Sequence, residues 1–412
     1  MKPGTPQVTK MLSFEQALSE VETRLTASGI TPATELVSLS QAWGRVLAED
    51  VDADRDYPPF DRSTRDGFAV RSEDVVQTNT VLTLDGEVRA GEYFKAEIET
   101  GHCASIMTGA PLPPGADAVV MVEHTHAEGN KVEIQRPAAS LENVVRKGSE
   151  AQAGQRVLEK GTRLRAGEIG LLGSVGKARA VVYVRPRVAI IPTGDEVVPI
   201  NQQPEWYQIR NSNSGMLAAV VASAGGTPWE IGIGPDRKDE LRTLIEKGLN
   251  ADMLLLSGGV SMGKYDLVED VLVDLGAEFY FRSVAIRPGK PLVFGRVQGR
   301  FFFGLPGNPV SGFVTCNLFA RPAISVLTGS RFEYPGFLRA RLAKSVHHKT
   351  GLTTFMPARI ETQNAEPVVS LVGWQGSGDL VGVAEANGFL VIHPGQPAPA
   401  AGDWVDVMPM VN

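Results

Sequence analysis

Cysteine is almost missing: Cys103 and Cys316 are the only two in 412 residues. Two thiols cannot build a disulfide framework, so a reducing compartment is favoured. Long apolar runs are missing too. No window reaches the ~18 consecutive apolar residues that a membrane span needs, and the best stretch, Asn308 to Leu327, is interrupted by Asn317 and Arg321. Met1 to Lys10 is polar and has no apolar signal core. These absences predict a cytoplasmic protein with no membrane attachment. Basic charge is not in excess: 40 Lys and Arg stand against 47 Asp and Glu, a net charge of −7. A broad nucleic-acid surface needs clustered cations, so no nucleic-acid partner is expected; a small local anion site stays open. There is no HExxH, no CxxC pair and no GxSxG, which removes common signatures of zinc peptidases, thiol redox sites and serine hydrolases. His124, His126 and His102 read as structural.

What is present is ordinary globular material. Hydrophobic residues make up 43% and charged residues 21%. At roughly 100–200 residues per domain, the length predicts two to four domains. Ser13 and Gln16 have capping-box spacing, and Phe14, Leu18, Val21 and Leu25 recur on one helical face until Gly29. This predicts an N-terminal helix over 11–27. Residues 53–147 carry short β-rich runs, such as Ala118 to Val122, separated by Pro and Gly, and predict a β-rich inserted domain. Residues 28–52 and 148–184 on either side of it are expected to pair as an elongated connecting domain.

From Arg185 strands and helices alternate. Strands are expected at Val188–Ile191, Trp229–Ile233, Met253–Leu256, Phe279–Val284, Leu292–Val297 and Phe301–Phe303. Helices are expected at Asn213–Ala224, Asp236–Leu249 and Asp266–Leu275, with a last one capped by Asn308 and opened by Pro309. This rhythm predicts a central αβα domain over 185–333 with a mostly parallel sheet. Ligands in such sheets bind beyond the carboxyl ends of the strands. Residues 334–412 return to a Gly- and Pro-punctuated β pattern and predict a C-terminal β domain. The fold class is therefore multi-domain α/β plus β.

The strongest local motif is Ser257-Gly258-Gly259-Val260-Ser261-Met262-Gly263, directly after an apolar strand. Its glycines let backbone amides approach an anion, and Ser261 adds a hydroxyl. The stretch narrowly misses a phosphate-binding P-loop, because Tyr265 stands where Ser or Thr must ligate magnesium. Glu196, Asp236 and Asp266 each follow a strand or open a helix, so they are expected to gather at one end of the sheet. Such a cluster suits Mg²⁺, a hard cation that takes oxygen ligands. Arg287-Pro288-Gly289-Lys290 places two cations on a proline-stiffened loop. Pro306-Gly307-Asn308 then presents a helix N-terminus, a natural anion site.

Taken together, these residues resemble the MoeA family, the molybdopterin molybdenumtransferases, to which the gephyrin E domain also belongs. The resemblance runs from about Phe14 to Val405. It passes in family order through Gly44 to Ala48, Phe60 to Ser63 with Asp66 to Ala69, Met107 to Pro111, Pro192 to Glu196, Ser257 to Ser261, Arg287 to Pro291 and Gly304 to Ser311. It implies insertion of molybdenum from molybdate into adenylylated molybdopterin, with AMP released and Mg²⁺ assisting. It adds Asp61 and Thr108 from the insertion to the site, and Ser377 and Arg359 from the C-terminal domain. It implies a homodimer in which one insertion reaches the other subunit's cleft. It also implies a molybdopterin adenylyltransferase-type protein upstream, and molybdoenzymes or their chaperones downstream. The chain departs from the commoner pattern at Arg65, Phe68, Ser149-Glu150 and Pro357. Two other readings stay open. The related molybdopterin adenylyltransferase step uses a similar αβ domain without flanking β domains, and a non-catalytic scaffold could keep the same fold. The transferase reading predicts that Asp266→Ala folds normally but loses AMP release from adenylylated molybdopterin in the presence of molybdate; full activity would remove that carboxylate from the chemistry.

Overall fold

The computed structural model describes residues 11–259, 267–348 and 351–410. Its first helix, Phe14–Ala27, starts where the capping box places it. The Gln16 amide donates to Ser13 Oγ at 3.1 Å, and the Ser13 amide donates to Gln16 Oε1 at 3.0 Å. Phe14, Ala17, Leu18, Val21 and Leu25 are buried and join the main core of the central domain. The helix is thus held by packing of its apolar face.

Two short antiparallel pairings bring the flanks of the insertion together. Thr34–Ser38 runs against Arg179–Tyr183, and Val51–Asp52 against Arg156–Leu158. The insertion itself is built on a six-stranded sheet, in which Gly67–Val70 lies between Ala118–Met121 and His102–Ile106.

The central domain carries the elements that matter for function. In chain order they are β1 (Arg187–Pro192), α1 (Ser212–Ser223), β2 (Thr227–Glu230), α2 (Lys238–Gly248), β3 (Met253–Ser257), α3 (Leu267–Asp274), β4 (Glu278–Ser283), β5 (Pro291–Val297), β6 (Arg300–Leu305) and α4 (Pro309–Leu327). The sheet order is β2-β1-β3-β6-β5-β4. β2, β1, β3 and β6 are parallel neighbours, and β5 and β4 complete the sheet in antiparallel fashion. β3 is buried along its whole length, as a central strand covered on both faces must be. One face packs on Val268, Val271 and Leu272 of α3 and Leu241 and Ile245 of α2. The other packs on α1, α4 and the N-terminal helix through a phenylalanine-rich core, where Phe294 and Phe303 stack at 4.7 Å. Helix α4 is long and apolar enough to cross a membrane by length and composition, but 78% of that window is buried inside the fold. It is the core helix of this domain.

Some local expectations shift. β2 begins at Thr227 rather than Trp229, because its register against β1 pairs Arg187 with Thr227 and Ile190 with Glu230. Helix α2 begins at Lys238, which leaves Asp236 in the preceding loop. Asn308 sits at the N-cap of α4 but its side chain caps nothing; the amide is spent on Ser377 instead.

In the C-terminal domain, Glu366–Leu371, Leu338–Leu342, Trp404–Pro409 and Gly388–Ile392 follow Thr353–Gln363 around the sheet, and Gly388–Ile392 pairs back to Thr353–Gln363. The sheet therefore closes on itself. Ile286–Arg287 adds to its rim by pairing with Thr353 and Thr354.

Both cysteines are free and fully buried. Burial pushes each thiol up to about 12, and the Asp85 carboxylate adds to the effect at Cys103. The thiolate is the reactive form, so neither residue should react with Ellman's reagent at mildly alkaline pH until the protein is unfolded in guanidinium. Rapid modification of the native protein would contradict this packing.

Candidate active site

Because β1, β3 and β6 are adjacent and parallel, the turns that follow them emerge side by side. Pro192 pairs with Ser257, and Ser257 with Leu305. The Thr193 amide donates to Ser257 O at 2.8 Å, and the Gly258 amide to Leu305 O at 3.1 Å. Between these turns and the start of α1 lies a cavity of about 460 Å³. Glu196, Asp236, Gly258, Gly259, Pro306, Gly307 and Asn308 all line it.

The glycines there are bare for steric reasons. Gly258 has φ +97°, and a Cβ on it would lie 2.7 Å from Thr193 O. Gly259 has φ +61°, and a Cβ would lie 2.8 Å from Val268 Cγ2. Such positions favour glycine and leave main chain, rather than side chain, on the wall.

Asn213 ties the wall together. Its Nδ2 donates to Ser257 Oγ at 2.9 Å and to Gly307 O at 2.8 Å. Asn211 caps α1, accepting from the Ser214 amide at 3.1 Å, so the positive end of that helix opens into the cavity. Thr193 Oγ1 and Asn213 Oδ1 are buried without a hydrogen-bond partner among the described residues. Unpaired buried polar atoms are costly and concentrate at functional sites.

The acidic residues are arranged unequally. Asp195 Oδ1 accepts from the Asp236 amide at 3.0 Å, and Asp236 Oδ2 accepts weakly from the Asp195 amide at 3.4 Å. This reciprocal pair joins the loops after β1 and β2. Arg237 stands 3.8 Å from Asp195. Glu196 is exposed at the cavity and makes no side-chain ion pair or hydrogen bond among the described residues. No group of three His, Cys, Asp or Glu side chains placed to hold a metal exists among the described residues. Glu196 and Asp236 share the cavity, whereas Asp266, with Val260, Ser261 and Gly263, lies outside the described residues.

Other expected residues stand apart from this wall. Arg287, Pro288, Gly289 and Lys290 do not line the cavity; only the following Pro291 does. The loop is anchored elsewhere, by the Arg287–Thr354 pairing and by Gly289 against α4, where a Cβ would lie 2.5 Å from Thr315 Cγ2. Arg287 and Lys290 are exposed on it. Ser377 sits next to the mouth: its Oγ accepts from Asn308 Nδ2 at 3.0 Å, and its carbonyl from the Val310 amide at 3.0 Å. A second, open hollow borders Gly376, Ser377 and Gly378. Arg359 is engaged with Glu361 and Glu385 O and lines neither.

Asp61 and Thr108 belong to the insertion and do not line this cavity. The Asp61 carboxylate accepts from the Lys147 amide at 2.7 Å. Thr108 donates its amide and hydroxyl to Asp66 Oδ1 at 2.7 and 2.9 Å. These two bonds hold the Asp66 carboxyl below its usual range, so the clasp is intact above the ordinary carboxylate pKa and is lost as pH falls through the lowered one. Asp66 has no role in the sequence reading beyond its motif. Asn213 is read from sequence only as a helix start, and Asn211 and Ser212 have no site role there; the signal is a run of amide and hydroxyl side chains at the start of that helix, directly after the short strand Ile209–Arg210.

Gly258→Ala tests the bare wall. Forcing a Cβ into a left-handed position against Thr193 O should cost about 1–3 kcal/mol in urea unfolding; an unchanged midpoint would mean the turn relaxes freely.

Comparison with known proteins agrees with this architecture. Residues 12–176 match the MoeA N-terminal region (domains I and II), residues 189–326 a probable molybdopterin binding domain, and residues 339–410 the MoeA C-terminal region (domain IV). The chain is 37% identical over 385 residues to a molybdopterin molybdenumtransferase of Nostoc sp., covering 91% of this chain and 88% of that protein. It is 33% identical over 377 residues to a protein of the same name from Staphylococcus epidermidis, covering 90% of each. Among solved structures, a molybdopterin biosynthesis MoeA protein from Pyrococcus horikoshii superposes with a TM-score of 0.79 at 30% identity, over 97% of this chain and all of that one. With the family's regions in order and relatives matched along nine-tenths of its length, the chain belongs to the MoeA family, the molybdopterin molybdenumtransferases.

Proposed function

We propose that this chain inserts molybdenum from molybdate into adenylylated molybdopterin, releasing AMP. The observation that carries the reading is the cavity beyond β1, β3 and β6, where glycine turns, two helix starts and two carboxylates converge. A ligand with a phosphoanhydride suits the α1 N-terminus, which presents a fixed positive partial charge, and the bare glycine turns, which leave room for it. These groups are already in place before charge develops, which is the economical form of electrostatic catalysis.

The lining also bears on magnesium. Glu196 and Asp236 are exposed at the cavity, and they suit Mg²⁺ because this ion is commonly held by one or two carboxylates together with substrate phosphates and water. When bound it would offset phosphate charge. Glu196 and Asp236 would hold it, and the α1 start and glycine turns would orient the anhydride between them. Molybdate is a dianion; Ser377 at the cavity mouth would supply a donor for it, and Arg287 and Lys290, exposed on the loop that leads to Pro291, would supply positive charge.

Asp61 and Thr108 are outside the lining of their own chain's cavity, which supports a homodimer in which one subunit's insertion serves its partner's site. The substrate would come from an adenylyltransferase-type protein, and the product would pass to molybdoenzymes or their chaperones, in the cytoplasm.

The test is a single-turnover assay of AMP release with molybdate and Mg²⁺. Glu196→Gln and Asp236→Asn should each lower the rate by about a hundredfold or more without altering the circular dichroism spectrum. Wild-type rates in both variants would remove the carboxylates from the reaction.

A further inference from the structure

Arg210 is the one Arg or Lys among the described residues that line the cavity. It ends the short strand Ile209–Arg210, which pairs in parallel with Val197–Val198 so that Arg210 lies opposite Val198. The Ile209 amide donates to Glu196 O at 2.8 Å, and the Asn211 amide to Val198 O at 2.8 Å. The strand pair therefore joins the Glu196 turn to the Asn211 cap of α1.

The guanidinium is braced by neutral groups only. Nε donates to Gln202 O at 3.2 Å and Nη2 to Gln203 Oε1 at 3.1 Å. Among the described residues it has no carboxylate in ion-pair contact, and Nη1 has no hydrogen-bond partner. Arg156, by contrast, is paired with Asp50 and Asp52. A braced, uncompensated cation beside a helix N-terminus is built to receive an anion. The same lining carries Glu196 and Asp236, so an entering phosphate meets two carboxylates and this single side-chain cation.

We propose that Arg210 binds a phosphate of the nucleotide-bearing substrate as a pre-positioned fork. This rests on the reading of the cavity as the site for adenylylated molybdopterin. The brace fixes the plane of the guanidinium, so its free N–H groups present a planar pair to phosphate oxygens.

Titration calorimetry with AMP as the probe, in the presence of Mg²⁺, tests it. Arg210→Ala should weaken AMP binding about tenfold. Arg210→Lys should recover part of that loss, because the ammonium keeps the charge but not the fork. The dependence of log Kd on log[KCl] should also become shallower in Arg210→Ala, since a cation–phosphate contact is screened by salt. A purely structural role would leave that slope unchanged. Wild-type affinity in Arg210→Ala, or weaker binding with an unaltered salt slope, overturns the Arg210 assignment and leaves the cavity reading standing. If the wild type itself fails to bind AMP, the cavity reading falls and this proposal falls with it. Thermal unfolding of each variant separates a folding defect from a binding one, and if Arg210→Ala unfolds, the Arg210→Lys affinity and salt slope decide.

Discussion

The Asn213 side-chain amide donates to Ser257 Oγ and Gly307 O, and so fastens the start of α1 to the turns after β3 and β6. Those turns are neighbours only because β3 and β6 run parallel in register. The cavity depends on both conditions. A shift of one residue in either strand would turn buried leucines and phenylalanines toward the wrong face, and would move Gly258 and Gly307 out of reach of Asn213. The apolar core under the sheet is therefore also the device that positions polar main chain above it. Gly307 lies beside Gly258, so that a Cβ on it would be in ordinary van der Waals contact, 3.4 Å from Gly258 Cα.

The electrostatics of the wall follow from this geometry. In a protein of net charge −7, the α1 start on the cavity wall carries partial positive charge without adding a titratable group. Asp195 and Asp236 exchange backbone bonds, so both carboxylates help to hold two loops together, and Asp236 also lines the cavity. Among the described residues, the Glu196 side chain accepts no such bond. Acidic residues close in space thus divide between scaffolding and exposure to the cavity, a division that depends on backbone placement rather than on residue type.

Peripheral domains add groups that the central sheet cannot. The Arg287 loop is a strand of the C-terminal sheet as well as a connection between β4 and β5, and Ser377 reaches α4 through Asn308. Ser377 therefore borders the mouth of the cavity, whereas the Arg287 loop reaches its lining only through Pro291. In the insertion, the Asp66–Thr108 clasp joins two segments that are widely separated in sequence, and it orders the loops that carry Asp61 and Thr108.

Much of this was readable beforehand. The capping box at Ser13 and Gln16 marked the first helix, because both partners are local in sequence. The apolar run Met253–Leu256 marked a buried strand, because a strand covered on both faces has no polar positions. The glycines after it marked a close approach of main chain, and the order of motifs marked the family. What the sequence could not supply was which loops meet. Arg287 and Lys290 are the cations that spacing points to, and their loop is held by the C-terminal sheet and α4 outside the lining; Arg210, in an unremarkable stretch, is on the wall. Local periodicity and turn chemistry determine elements, since they act over a few residues. Which arginine lines the cavity, Arg210 and not Arg287, is decided by strand register and domain packing, which join residues that no local pattern connects.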